Sequence, residues 1–307
     1  MIKNNLKTYL TTKEVAALLD VNEKIVYQLI NEKGLPATKV TGKWLFPRHL
    51  VEKWLEKHVV NHPGKALDFE GELVIVIGSN DLLLERTLSL YNKRYAKSVA
   101  VFGSVGSLRG IGALKDGLCH IATAHLLESD EKNYNFAYLR EHFGEFLPVV
   151  VNFCFREQGL LVAPGNPKNI KSLKDLTRDD ITYANRPKGT GTRVLLEHEL
   201  KKLGVSFKKI CGFENEFNTH LEVGLEVLSG RADTGLAIRA IAKLLGLDFI
   251  PIKRERYDLL IPKDTFFQKN IQKLLGLLQE EDFKLLAAEL TGYDVSQAGR
   301  IVFPQDD

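Results

Sequence analysis

The chain has 307 residues with 44% hydrophobic and 26% charged side chains, the balance of a soluble globular protein rather than a disordered or fibrous one. Its formal charge of +3 hides an asymmetry: residues 1–66 carry +5 and the remainder −2, which suits a nucleic-acid contact at the N-terminal end. No apolar run approaches the roughly 18 residues of a membrane helix, and the start MIKNNLKTYLTTKEV lacks an apolar core and a small-residue cleavage site. A cytoplasmic protein is expected. Cys119, Cys154 and Cys211 are widely spaced, make no metal-ligand pair and read as three buried free thiols.

From residue 11, hydroxyl residues precede Val15, Ala16, Leu18 and Leu19 at helical spacing, which predicts a capped helix. Asp20, Val21 and Asn22 make a tight turn. A second helix over 23–33 buries Ile25, Val26, Leu29 and Ile30, and Gly34 and Pro36 end it. Two short helices joined by such a turn predict a helix-turn-helix. Residues 37–40 and 44–46 read as short strands of a hairpin around Thr41, Gly42 and Lys43. Pro47 opens a third helix with Leu50, Val51, Trp54 and Leu55 inward, and Trp44 and Trp54 read as core.

Over 9–57, the run YLTTKEVAALLDVNEKIVYQLINEKGLPATKVTGKWLFPRHLVEKWL resembles the excisionase and MerR-type winged-helix DNA-binding domains. In such folds the second helix enters the major groove with its first turns towards base edges. Those positions are Asn22, Glu23, Lys24, Tyr27 and Gln28. Lys39, Thr41, Lys43 and Arg48 would lie along the wing and third helix, where they neutralise phosphates. The expected partner is double-stranded DNA.

A turn cluster at 61–64 marks a boundary, giving a head over 1–61, a linker over 62–70 and a body over 71–307. An apolar strand at 73–77 meets the polar turn Gly78, Ser79, Asn80 and Asp81 and then a helix over 82–95. The unit recurs with a strand at 98–102, a glycine-serine turn and a helix through 114. Such alternation predicts an open α/β sheet with ligands at the carboxyl ends of its strands. Two strands are expected around a turn at 156–159, then a capped helix at 172–176, a strand at 181–184, and helices over 194–203 and 220–229. Strands at 248–252 and 257–262 lead back to a helical region over 270–290.

The stretches GSVGSLRGIGALKDG, REQGLLVAPGNPKNI, NRPKGTGTRVLLEHEL and LDFIPIKRERYDLLIP make residues 73–290 resemble the type II periplasmic substrate-binding proteins, specifically their cytoplasmic molybdate-binding-like relatives. The resemblance implies a periplasmic-binding-protein-like clamshell, with lobe 1 over 71–152 and 250–307 and lobe 2 over 153–249. Two departures stand out: Cys119-His120 where the relatives place Ala-Asp, and Asn80-Asp81 in place of a plain Ser-Ser start.

Ser79, Ser104, Ser107, Thr190 and Thr192 sit in glycine-bearing turns at helix starts, where free N–H groups and a partial positive charge favour anions. Together with Asn80, Gly191 and Arg193 they form the expected ligand set, suited to an oxyanion such as molybdate or tungstate; Arg193 equally suits a pair with Glu197. No cofactor, metal site, nucleophile–base pair or Walker motif is evident, so an enzyme is not expected. The expectation is a homodimeric one-component transcriptional regulator that senses a small ligand. The alternative is an oxyanion carrier or accessory factor for molybdenum or tungsten cofactor synthesis.

Overall fold

Thr11 does two jobs. It ends a three-residue strand, Tyr9–Thr11 (β1), and caps the helix Thr12–Leu18 (α1) through a capping box with Glu14. Asn22 caps the next helix, Glu23–Lys33 (α2), by accepting from Ile25 N at 3.0 Å, and Gly34 ends it in the left-handed conformation. Strand β2 (Leu45–Pro47) pairs antiparallel with β1, and α3 (Arg48–Lys57) follows from Pro47. Leu10, Val15, Val26, Phe46 and Val51 form the core of this head, and fully burying a side chain such as Phe46 is worth roughly 1.5–3 kcal/mol.

The computed structural model describes residues 7–39, 42–58 and 73–304. The chain divides into two units, Met1–Pro63 and Gly64–Asp307. Thr41 and the expected linker over 62–70 lie outside the described residues. Of the expected wing hairpin, a single bridge between Thr38 and Leu45 is seen among them; β2 pairs along its other edge with β1, a strand the sequence reading omitted. Leu50 is exposed rather than inward, since Val51 takes the core position on α3.

The body is built on one nine-stranded sheet. Its first lobe runs β3 (Leu73–Gly78), α4 (Leu82–Arg94), β4 (Val99–Ser104), α5 (Ser107–Lys115), β5 (Ile121–Ala124) and α6 (Phe136–Phe143). Strand β3 lies parallel between β4 and β5. The chain then enters β6 (Val149–Val162), a single strand of 14 residues where two strands and a turn were expected. Arg156 and Gln158, which look like loop residues, are buried inside the sheet. The second lobe holds β7 (Tyr183–Ala184), α7 (Gly191–Lys202), α8 (His220–Leu228), β8 (Thr234–Ile238) and α9 (Arg239–Leu245). Strand β9 (Asp248–Ile261), again 14 residues, runs antiparallel to β6 throughout and returns to the first lobe.

The helices α10 (Lys269–Leu277) and α11 (Glu281–Leu290) replace one expected helical region. Short strands β10 (Tyr293–Asp294) and β11 (Ile301–Val302) pair with β6. Ile271, Leu274, Leu277, Phe283 and Ala287 pack into the lobe-1 core with α4. The apolar residues of 270–290 are therefore largely consumed inside the lobe. Cys119 and Cys154 are buried as expected, but Cys211 is exposed.

Candidate functional site

The two long strands set the middle of the site. Arg156 on β6 and Glu255 on β9 are register partners between two bulges, and Arg156 Nε donates to Glu255 Oε1 at 2.7 Å. Strand alternation puts Gln158 on the same face, and its Nε2 donates to Glu255 Oε2 at 2.8 Å. From lobe 1, Asp81 at the start of α4 accepts from Arg156 Nη1 at 2.6 Å. His125, just past β5, meets Glu255 Oε2 through Nδ1 at 2.8 Å, and its Nε2 lies 2.8 Å from Ser79 Oγ. All six side chains are buried.

Burial pushes the His125 imidazole below its ordinary value, against the pull of Glu255. The neutral ring then donates from Nδ1–H to the carboxylate and accepts from Ser79 at Nε2. Burial alone would raise the Glu255 carboxyl, but its neighbours His125 and Arg156 hold it below the ordinary glutamate value. Burial also works against the Arg156 charge, and Glu255 and Asp81 outweigh it.

Lobe 2 contributes a different kind of group. Arg186, in the loop before α7, is equally buried, yet no carboxylate of the described residues pairs with it. Its Nη1 donates to Phe217 O at 3.1 Å, and its Nε has no partner among the described residues. Burial, with the Arg156 charge added, lowers it to about 10, so it remains charged. Glu222 pulls the other way without contact, and a buried guanidinium with no carboxylate touching it costs several kcal/mol, which a bound anion would relieve. Arg156 Nη2, Gln158 Oε1, Thr192 Oγ1 and both nitrogens of His220 also lack partners among the described residues. His220 opens α8, and burial, then Arg186, Arg156 and His125, push its imidazole well below the ordinary value.

The lobes are closed over this cluster. Leu108 N on α5 donates to Gly189 O before α7 at 3.1 Å. Gly106, at φ 85°, lets the start of α5 approach Thr190: a Cβ there would fall 2.9 Å from Thr190 Cγ2.

Most of the ligand residues expected from the sequence have other work. Ser79 is bound to His125, Ser107 Oγ accepts from His125 N at 3.4 Å, and Asn80 Nδ2 donates to Glu85. Thr190 caps α7 by accepting from Arg193 N at 3.3 Å, and Gly191 packs on the His125 ring. Ser104 is exposed. Arg193 donates to Glu197 Oε1 at 2.6 Å, holds Arg186 O at 3.3 Å and stacks on Phe213 at 4.0 Å. It positions the Arg186 loop rather than reaching a ligand. Of that expected set, Thr192 alone keeps a buried hydroxyl with no partner among the described residues. The sequence reading missed Arg156, Gln158, Arg186 and His220, and also missed that Ser79, His125 and Glu255 have the connectivity of nucleophile, base and orienting carboxylate. A surface depression lined by Glu197, His198, Lys201 and Phe207 lies along the far half of α7, away from this cluster.

In the head, Asn22, Glu23, Lys24, Tyr27 and Gln28 are exposed on one side of α2, while Val26 is buried on the other. Asn22 Oδ1 is spent on the cap. Lys43 is exposed, Lys39 lies over the Trp44 ring at 5.6 Å, and Arg48 pairs with Glu52 at 2.9 Å. Trp54 Nε1 donates to Lys33 O at 2.9 Å, so that ring is structural.

Among the described residues no helix is long and apolar enough to cross a membrane. The uncharacterized protein YvgK of Bacillus subtilis is 29% identical over 97% of this chain and 99% of its own length. An uncharacterized protein in the 5′ region of a ferredoxin gene of Clostridium pasteurianum is 32% identical over 36% of this chain and 97% of its own. A candidate phosphate ABC transporter substrate-binding protein with bound phosphate, from Clostridium perfringens, superposes with a TM-score of 0.51 at 14% identity. That match covers 71% of this chain and 98% of the other, and supports the fold. A helix-turn-helix domain profile matches residues 9–59. With the PBP superfamily domain matched over residues 88–279, the chain belongs to that family and carries an excisionase-like helix-turn-helix domain at its N-terminus.

Proposed function

We propose that the protein is a cytoplasmic one-component transcriptional regulator whose clamshell closes on a small oxyanion and whose head binds operator DNA as part of a homodimer. The observation that carries the ligand reading is Arg186: a charged, buried guanidinium with no carboxylate partner among the described residues. The N-termini of α7 and α8 beside it add partial positive charge. Molybdate and tungstate belong to the class this environment accepts. Ligand-dependent closure would change operator affinity by a coupling free energy, typically about 1–3 kcal/mol. Calorimetry of the full chain with molybdate, tungstate, phosphate and sulfate tests the first half, and mobility-shift titrations with and without the anion that binds test the second. No heat with any of the four at about millimolar concentration removes the oxyanion. DNA affinity independent of the bound anion removes the coupling and leaves a carrier or accessory factor.

One observation favours a second reading, hydrolysis of an anionic ester in the same cleft. His125 Nε2 accepts from Ser79 while Nδ1 is held by Glu255, so Ser79 Oγ could attack an acyl carbon as His125 takes its proton. His125 would return that proton to the leaving alkoxide, and water would then release the acid. Covalent labelling of Ser79 by a fluorophosphonate would support it, and an unlabelled protein would exclude it.

A further inference from the structure

The unpartnered atoms of the cleft are of two kinds. Arg156 Nη2 and Arg186 Nε only donate, and Thr192 Oγ1 does either. Gln158 Oε1 only accepts. The orientation of that amide is fixed by its surroundings: Nε2 donates to the Glu255 carboxylate at 2.8 Å, and reversing it would set an oxygen against an oxygen. His220 adds a second acceptor. Burial keeps its imidazole neutral, so one nitrogen carries hydrogen and the other a lone pair, and neither has a partner among the described residues. Gln158 belongs to the cleft through its contact with Glu255, and His220, at the start of α8, through Phe217 three residues before it, whose carbonyl accepts from Arg186.

A fully deprotonated anion such as sulfate or molybdate presents acceptors only. It would answer the two guanidinium groups and turn lone pairs towards Gln158 Oε1 and one nitrogen of His220. We infer that the cleft selects an anion that carries its own hydrogen-bond donor, an O–H beside the charged oxygens, as in monohydrogen phosphate or a hydroxycarboxylate. The inference rests on the oxyanion reading above and narrows it, placing molybdate and tungstate below hydroxylated anions. An ammonium donor fits less well, because Asp81 and Glu255, the carboxylates at the site, are already held by Arg156. A site that hydrogen-bonds a ligand hydroxyl rejects the analogue lacking it, since its own buried polar groups are then left unpaired.

The test compares matched anions on the full chain by calorimetry, above the second ionisation of phosphate. Phosphate is set against sulfate, and lactate against propionate; each pair differs mainly by one donor. The donor-bearing member should bind about tenfold more tightly or better in at least one pair. The pair that responds tells a phosphate from a hydroxycarboxylate. Gln158→Met, with its fold checked by thermal melting, should bring the ratio in that pair close to one. If this variant does not fold, the wild-type ratios decide alone. Ratios of one or less in both wild-type pairs, with molybdate, tungstate or sulfate bound, overturn the inference and leave the oxyanion reading standing. If none of these anions binds, the oxyanion reading itself falls, and this inference with it.

Discussion

Gly191 stands so close to His125 that a Cβ added to it would fall 2.5 Å from Cε1 of the ring. The glycine opens α7 in lobe 2 and the histidine follows β5 in lobe 1, so this contact exists only while the lobes are closed. A rigid ring cannot yield by the several tenths of an ångström a methyl needs. Gly191→Ala should hold the clamshell open, lowering anion affinity about tenfold or more while leaving the thermal midpoint of the free protein nearly unchanged. Small-angle scattering should give a larger radius of gyration that ligand no longer reduces. A variant that compacts with ligand like the wild type would show that the ring moves aside.

Arg156 and Arg186 are both buried arginines, but substitution should affect them in opposite ways. Arg156 answers two buried carboxylates, Asp81 and Glu255, so Arg156→Met strips both of their guanidinium and should cost about 3–5 kcal/mol of stability. Arg186 has no carboxylate in contact among the described residues, only the more distant pull of Glu222, so Arg186→Met removes a poorly compensated buried charge. The ligand-free protein should then melt at the same temperature or higher, and the shift produced by a bound anion should vanish. Denaturant titrations of the two variants, with and without anion, check both signs.

His220 links stability to pH. Its imidazole lies well below the ordinary value of 6.5 in the folded protein, so the unfolded chain takes up the proton first as pH falls. The stability this group contributes is complete above 6.5 and is lost progressively as pH drops from there towards the folded value. Melting temperature should decline on acidification below neutrality, and His220→Asn should flatten that decline. An unchanged slope in the variant would assign the pH dependence to other groups.

The head makes a separable prediction. Lys24 and Gln28 are exposed on α2 opposite buried Val26, so replacing both with alanine should weaken binding to the operator and spare the fold. Lys43→Ala should weaken binding to every sequence alike and reduce the salt slope by about one phosphate contact. Mobility-shift titrations at several salt concentrations measure both effects, and equal losses on specific and random duplexes for the α2 variant would deny it base readout.

Several helix starts were legible because capping chemistry is local: Thr11, Asn22, Asp81 and Thr219 cap where a short polar side chain precedes an apolar period, whereas Thr190 caps α7, which starts three residues ahead of the helix expected from 194. The same chemistry misled the site assignment. A hydroxyl at a helix start serves either the helix or a ligand, and only the contacts decide. Arg156, Glu157 and Gln158 read as a surface turn because charge usually means solvent, yet they continue β6 through the middle of the body. One signal was present in the sequence: Arg156 and Gln158 stand two apart on β6, and Glu255 and Tyr257 two apart on β9, the spacing of one strand face. Arg186 gave no local signal, because its lack of a carboxylate in contact among the described residues is a property of what the fold brings near it.

The two threonines of the segment Thr190, Gly191, Thr192 put that distinction to a direct test. Thr190 Oγ1 accepts from Arg193 N at 3.3 Å and donates to Pro187 O at 2.8 Å, so it is spent on the cap. Thr190→Ala should cost about 0.5–2 kcal/mol of stability, the usual worth of a cap. Thr192 Oγ1 is buried with no partner among the described residues. Thr192→Val keeps the shape and removes a hydroxyl that none of the described residues uses, so the free form should be as stable or slightly more so. If that hydroxyl donates to a bound anion, the hydrogen bond is worth roughly 1.5–3 kcal/mol and affinity should fall about tenfold to a hundredfold. Calorimetry and melting curves on both variants separate the roles, and an affinity unchanged in Thr192→Val would take α7 out of the ligand site.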